Sequence, residues 1–413
     1  MKVKLYKIYN YIFFIWLLGL DQFFFTPFFA FISALKSNKL KIELPAFFIL
    51  IIIFCMILSS INIESTIKFF QISRNIFSLL GAFFIINYFS QYGKKINTNN
   101  RFISTLAFSS FIIVLCGFMP LIGINFSYKA IFYHLFSFLD IGMLNQFFTK
   151  TFADENAGNF FSSYAIGFVR PRGLMLFPNQ LAQICLISIG SSFYLFTFKD
   201  SKIFKSNNFI LITMILISTI VLLSTLSRGS WLAFTFAISL IMFFEIFDKK
   251  KVSIVYIISI LFLISILYLF SAFDLVFSRF DNAHSDVGRM TNYTNSIKMV
   301  LSSPYRLFLG FGSQIDFSTA EANVKLGSHS AYIGILFKYG IFAFLSYCSL
   351  QFFLFYKTIT AFLKQRLDKN TFYFFLFNLT VFSITPIFYE VDVDMINILF
   401  VFTLYGLIYS SVK

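Results

Sequence analysis

Charge is the first thing this sequence lacks: of 413 residues only 12% are charged, while 58% are hydrophobic and the mean hydropathy is +0.80. A water-soluble domain of this length could not cover its surface with so few charges, so that class is excluded. Cysteine is also scarce. Cys55, Cys116, Cys185 and Cys348 sit singly inside apolar runs. Without close spacing they form neither a zinc nor a redox motif, and they read as small packing residues. No glycine-rich loop ends in Lys-Ser or Lys-Thr, which argues against ATP hydrolysis. No His/Glu cluster has metal-ligand spacing, which disfavours a zinc hydrolase. Apart from Asp392 and Asp394 there is no Asp-X-Asp pair. Metal-dependent transfer from a sugar nucleotide is therefore disfavoured.

What the chain has instead is bulk and positive charge. Its 65 Phe and 21 Tyr suit lipid-facing and interfacial positions. A net charge of +15 could signal nucleic-acid binding, but in a chain with many spans it reflects lysine-rich cytoplasmic loops. A helix that crosses the hydrocarbon needs about 20 apolar residues. Such runs occur at 44–61, 67–89, 101–123, 179–198, 207–226, 229–247, 252–273, 330–356, 371–389 and 395–411. The clusters Lys94/Lys95/Arg101, Lys199/Lys202/Lys205, Lys249/Lys250/Lys251 and Lys357/Lys364/Arg366/Lys369 alternate with loops that lack a positive excess. That alternation puts these four loops and Lys413 in the cytoplasm. Lys36, Lys39 and Lys41 join them, as do Lys2, Lys4 and Lys7, so 8–34 is expected to hold a hairpin of two short helices. One span with an external N-terminus is the alternative. The basic start followed by Ile8–Leu20 resembles a signal peptide, but no small-residue cleavage site follows, and a retained anchor is expected.

The expected fold is all-α: a single integral membrane domain over 1–413 with about twelve spans. Its two long external loops are 124–178 and 274–329. Loops of that length tend to be functional or disordered. The second carries Asp274, Arg279, Asp281, His284, Asp286, Arg289, Lys298, Arg306, Asp316, Glu321, Lys325 and His329, a dense polar set in a chain poor in charge.

Three stretches interrupt the apolar pattern. Arg170-Pro171-Arg172-Gly173 leads through Phe177-Pro178-Asn179-Gln180 into a span, with Asn179 a candidate N-cap. The bland reading makes these residues a helix cap at the lipid headgroups. Against it, external loops should be poor in arginine. Ser227-Arg228-Gly229 joins two spans with almost no loop, so Arg228 sits near the membrane boundary. An arginine there is costly unless it snorkels or meets an anion, and its fork of donors suits phosphate or pyrophosphate. Gly327-Ser328-His329-Ser330-Ala331-Tyr332 opens a late span. His329 is one of three histidines, with His134 and His284. Histidine can exchange a proton near neutral pH, although one at a helix start is more often structural than catalytic.

Taken together, these residues resemble the O-antigen polymerase and O-antigen ligase superfamily. Four features carry the likeness in order: Arg172-Gly173 through Pro178-Asn179, Ser227-Arg228-Gly229, Arg289 in the large loop, and Gly327-Ser328-His329-Ser330. Arg228-Gly-Ser-Trp-Leu232 is similar to the Arg-X-X-X-Leu motif of ligases. His329-Ser330 followed by nine residues and Gly340 is similar to their His-(Asn/Ser/Gln)-X9-Gly motif, which then expects a glycine where this chain has Ala343. Ser303-Pro304 through Leu309-Gly310-Phe311-Gly312 is similar to the segment after the loop arginine. The likeness covers about 165–345.

The resemblance implies a GT-C-like fold in a bacterial inner membrane and a glycosyltransferase whose active face is periplasmic. The donor it implies is an undecaprenyl-pyrophosphate-linked oligosaccharide. Arg228 and Arg289 would hold the pyrophosphate, and His329 would deprotonate or orient the acceptor hydroxyl. Arg170, Arg172, Asn179, Ser330 and Tyr332 would line the substrate path. No cofactor or metal is implied. Membrane lipids are partners, a polysaccharide chain-length regulator is another that the resemblance admits, and nucleic acid is not one. A polymerase transfers the chain to another lipid-linked repeat unit, whereas a ligase transfers it to lipid A core; the pattern favours the polymerase. A flippase for lipid-linked sugars is the reading from another class. Transporters tend to show internal repeats and midplane polar residues in broken helices, and no repeat is visible here.

Overall fold

The structure is a computed structural model. It describes residues 9, 11, 14, 41–60, 66–97, 101–124, 161–165, 168–175, 177–197, 208–249, 283–312, 326–327, 330–387 and 395–413. In chain order the helices are α1 (Leu44–Ser59), α2 (Thr66–Ile96), α3 (Arg101–Phe118), α4 (Pro178–Thr197), α5 (Asn208–Ser224) and α6 (Arg228–Lys249). They continue with α7 (Ala283–Leu301), α8 (Pro304–Leu309), α9 (Ala331–Leu363), α10 (Lys369–Ile384) and α11 (Met395–Val412). Two 3-10 turns, Met119–Ile122 and Thr385–Ile387, extend α3 and α10. Strands β1 (Phe161–Ala165) and β2 (Phe168–Pro171) form an antiparallel hairpin that pairs Ser163 with Arg170 and Ala165 with Phe168.

The architecture is an all-α polytopic membrane protein, with that hairpin as its one departure among the described residues. Among the described residues six helices are long and apolar enough to cross a membrane, and three shorter apolar helices accompany them. Every apolar run read from the sequence that falls on described residues is a helix; the run 252–273 and the expected hairpin over 8–34 lie outside them. The two long loops expected to be external hold more structure than their length suggested. The first contains the β-hairpin, and the second contains α7 and α8.

α2 runs seven residues beyond the expected end at 89 because glycines bring it against α11. A Cβ at Gly406 would meet Phe89 and the Ile86 carbonyl, and one at Gly93 would meet Ser410. Small residues let membrane helices approach closely enough for van der Waals packing to hold them. The interior is filled by aromatics such as Phe89, Phe102, Phe375, Phe400 and Tyr405, all fully buried. Phe362 and Phe372 stack at 3.9 Å. Cys55, Cys116 and Cys185 are buried free thiols inside this packing, and Cys348 is partly so.

Two ionic clusters fix one end of the bundle. Glu43, at the start of α1, takes two hydrogen bonds of 2.8 Å from the Lys413 ammonium. Glu245, near the end of α6, pairs with Lys369 at 2.7 Å and accepts from the Tyr373 hydroxyl at 2.6 Å. Tyr194 meets Thr371 at the same end. This lysine end holds the ends of α2, α9 and α11 that carry Lys94, Lys95, Lys364 and Lys413. The opposite, far end holds β2, the α5–α6 turn, Ser330 and Thr385–Ile387.

Candidate functional site

At the far end the α5–α6 turn is built to hold Arg228. α5 ends at Ser224, and Leu226 takes φ +52°, a left-handed conformation that costs a β-carbon residue about 1–2 kcal/mol. Two donors close the turn over the freed carbonyls. The Trp231 indole N–H donates to the Leu222 carbonyl at 3.2 Å, and Arg170 Nε donates to the Thr225 carbonyl at 3.0 Å. Ser227 begins α6: its carbonyl accepts from the Ser230 and Trp231 amides, and its hydroxyl meets that of Ser230 at 2.9 Å. Arg228 is thus the first residue of α6, half-buried. A cation at a helix N-terminus opposes the macrodipole. The same amide-rich end combined with a guanidinium suits an anion well.

The Arg170 contact brings the first motif to the second. Arg170 lies on β2 and reaches a carbonyl three residues before Arg228. Its neighbour Arg172 is buried, at 4% exposure. Gly173 then turns at φ +57°, pressed on the α3 backbone, where a Cβ would come within 3.1 Å of the Gly117 nitrogen. The expected N-cap role of Asn179 does not hold. α4 starts at Pro178, and the side chain that satisfies the helix end belongs to Gln180, whose Oε1 accepts from the Phe177 amide at 3.0 Å. Proline is favoured at the first helical position because its missing N–H would be unpaired there anyway. That puts the N-cap position at Phe177, two residues before the expected place, and Asn179 sits half-buried in the first turn.

The third motif is where the geometry departs most from a simple span. α9 counts 33 residues, yet Gly340 has φ +79° and ψ −176°, which is not helical. A straight helix would separate positions 332 and 351 by about 28 Å. Instead the Tyr332 hydroxyl lies 2.6 Å from Gln351 Oε1 and 2.9 Å from the Ser383 carbonyl on α10. The Tyr332 and Tyr347 rings also meet edge to face at 5.3 Å. The chain therefore folds back at Gly340. A short re-entrant limb, 331–339, runs against the spanning limb, 341–363.

The segment 307–312 props this fold open. Breaking the helix frees the carbonyls of Phe337 and Lys338, which accept from the amides of Phe311 and Gly312, each at 2.8 Å. Non-helical backbone at membrane depth persists only where protein satisfies it, as it does here. Phe311 stacks on Phe337, with centroids 4.7 Å apart, and the Arg306 guanidinium covers Phe311 at 4.5 Å. A Cβ at Gly340 would strike the Phe308 carbonyl.

The re-entrant limb is anchored at its start as well. Ser330, 1% exposed, is the N-cap and accepts from the Ile333 amide at 3.5 Å. Gly327, three residues earlier, donates to the Ser296 hydroxyl of α7 at 2.8 Å. His329 lies outside the described residues. His134 is also outside them. His284 and Arg289 fall on α7, with side chains outside the description. α6 and α9 both pack on Thr385–Ile387, and Gln183 of α4 reaches Thr385 at 3.2 Å. The helices carrying Arg228, Ser330 and Tyr332 thus converge on one 3-10 turn.

Residues 213–348 match the O-antigen ligase family model. The matched segment runs from α5 through the Ser227-Arg228-Gly229 turn, α7 and α8 to just past Gly340, so it contains both halves of the geometry above. It supports the polymerase and ligase superfamily to which the sequence bears its resemblance. No curated protein matches the chain. Arg170, Arg172 and Asn179 lie outside the matched segment, joined to it by the Arg170–Thr225 bond. Sequence reasoning gave Gln180 no role of its own, although its place three residues after Phe177 fits a capping pattern, and it missed Gln351 and Ser383, which show no motif. It also passed over Lys338, although that lysine is the lone charge between 330 and 356.

Proposed function

We propose that the protein is a surface-polysaccharide polymerase. It transfers a growing undecaprenyl-pyrophosphate-linked glycan onto a new lipid-linked repeat unit on the periplasmic face of the inner membrane. The observation that carries this reading is the family match over 213–348, which includes both the Arg228 turn and the fold-back at Gly340. In the proposed step the acceptor hydroxyl attacks the anomeric carbon of the donor sugar. The new glycosidic bond forms as the carbon–oxygen bond to pyrophosphate breaks, and its electron pair leaves with undecaprenyl pyrophosphate. His329 takes the hydroxyl proton. Arg228, with Arg289, stabilises the charge that builds on the leaving group, the kind of interaction that lowers a barrier most when the donors are already in place. Arg170 and Arg172 guide the pyrophosphate or the acceptor toward Arg228, Asn179 and Ser330 line the path, and Tyr332 holds the re-entrant limb beside it.

The test is an assay of purified protein in detergent, with a lipid-linked repeat unit as the only glycan and products resolved by size. A ladder of oligomers that disappears in His329→Ala supports the polymerase. The family description favours a second reading, a ligase. Transfer that occurs only once lipid A core is added would establish that instead. No new glycosidic bond under either condition would refute both.

A further inference from the structure

The segment that props the fold-back has a second face that the proposed chemistry leaves unused. α7 turns its polar side inward: Asn292 and Ser296 are buried beside Val300, and the Ser296 hydroxyl accepts from the Gly327 amide. The large apolar side chains lie elsewhere on the helix. Met290, at 68% exposure, and Leu301, at 65%, share an outward face with exposed Ile297, because positions seven and four residues apart line up on a helix. α8 follows after two residues and exposes Tyr305 and Phe308 as well. Apolar side chains left open together in this way mark a contact with a membrane or a protein.

Two observations select lipid. Phe308 stacks on Phe342 of the spanning limb, with ring centroids 5.5 Å apart. Phe342 is itself exposed, and Leu345, Phe352 and Tyr356 continue the same outward side of that limb. The outward side of a crossing helix meets lipid, so Phe308 sits on the rim of the lipid-facing surface. The second observation is charge. From 287 to 315 the sequence holds Arg289, Lys298 and Arg306 and no Asp or Glu. A loop expected to be external should be poor in Lys and Arg, and anionic headgroups complement such an excess. Lys298 is exposed on α7 beside Ile297, and partly exposed Arg306 lies over the Phe311 ring. Helices that lie on a membrane surface mix residues in this way, with stems in the apolar layer and charges among the headgroups.

We propose that α7 and α8 dock on the bilayer surface, with Met290, Ile297, Leu301, Tyr305 and Phe308 in the hydrocarbon edge and Lys298 and Arg306 on anionic phospholipid headgroups. The docking reaches the re-entrant limb, because the same segment holds that limb near both ends. Ser296 of α7 fixes Gly327, three residues before Ser330, while Phe311 and Gly312, just after α8, hold the carbonyls of Phe337 and Lys338. A Cβ at Gly310 would strike the Lys338 carbonyl, so the join between α8 and the limb has no slack. Lipid composition thereby sets how firmly the limb is held. The docking stands apart from the transferase reading; its effect on product formation rests on that reading.

The experiment uses the full chain, without its native cysteines, in nanodiscs of phosphatidylcholine with or without phosphatidylglycerol. Single spin labels at Met290 and Leu301 are compared by their collisions with oxygen, which enters lipid, and with a nickel chelate, which stays in water. Labels at Phe352 and Lys364 supply the lipid and aqueous references. Both α7 labels should favour oxygen as Phe352 does, and Leu301→Glu should move the Met290 label toward the chelate. Product formation should be about fivefold or more higher with phosphatidylglycerol, the scale of one basic residue near an anionic surface. Lys298→Gln should erase most of that difference at an unchanged thermal midpoint. Collisions at Met290 and Leu301 that match Lys364 overturn the proposal, and so does protection from both reagents, which would put a second copy of the chain on this face. Immersed labels with equal product in the two lipids overturn the coupling to the limb. Immersed labels on a protein that forms no glycosidic bonds in either lipid would support the docking and refute the transferase reading instead.

Discussion

Replacing Gly340 with alanine tests the fold-back directly. At φ +79° and ψ −176° the backbone lies where only glycine is at ease, and a side chain there costs about 1–3 kcal/mol. The new Cβ would also strike the Phe308 carbonyl, which displaces 307–312 and threatens the bonds from Phe311 and Gly312 to the freed carbonyls. Each such bond contributes about 0.5–1.5 kcal/mol. The folded-back form should therefore lose roughly 2–6 kcal/mol against a straight α9, a shift of about thirtyfold to twenty-thousandfold in their ratio. Spin labels at Ile333 and Phe352, in a background without the native cysteines, report the outcome. The parent protein should give one short distance, set by the Tyr332–Gln351 contact. Gly340→Ala should add a population near 28 Å, the length of a straight 19-residue helical segment, and product formation should fall with it. A single short distance with unchanged activity in Gly340→Ala would refute the argument that this glycine sustains the bend.

Other substitutions probe the remaining contacts. Arg228→Ala should lower product formation about a hundredfold or more in the oligomer assay while the protein stays in the membrane, and Arg228→Lys should not rescue it because a bidentate fork is lost. Near-parental activity in either variant would remove Arg228 from the site. Lys369→Met removes the ammonium that pairs with the Glu245 carboxylate, which is 6% exposed. It should cost about 2–4 kcal/mol, seen as a lower thermal midpoint, and adding Glu245→Gln should recover part of the loss. Gln180→Leu removes the side chain that caps α4 and should lower the thermal midpoint by the equivalent of about 1 kcal/mol, whereas Asn179→Ala should barely change it.

The spans were legible because a run such as 371–389 has one way to satisfy its backbone in lipid, and apolarity alone reveals it. Direction was not legible. Residues 330–356 read as one crossing because hydropathy counts apolar residues without regard to where the chain turns, and a glycine in an apolar run looks the same whether it bends the helix or packs it. The motif glycine was in view, but its left-handed conformation appears only once Phe308 is seen behind it. α7 was hidden for another reason: its buried face carries Asn292 and Ser296 beside Val300, while Met290 and Leu301 are exposed, so no buried apolar stripe marks it. The Asn179 assignment failed because Pro178 moved the helix start, and Gln180 three residues after Phe177 was the available signal. For Arg228 the missing loop placed it between two spans, and the structure puts it at the start of α6.

The fold-back at Gly340 also has a bearing on how the chain is made. During insertion, residues 331–363 present a continuous apolar stretch that would be about 50 Å long as one helix, more than a bilayer can match. Something must meet the first third of that stretch and hold it back. The order of synthesis provides it: Phe311 and Gly312 leave the ribosome 19 residues before Ala331, roughly one to four seconds earlier at ordinary elongation rates. The template is complete before its target emerges. A circular permutation that moves 304–312 behind α9 would reverse this order and leave the long helix to thread unsupervised.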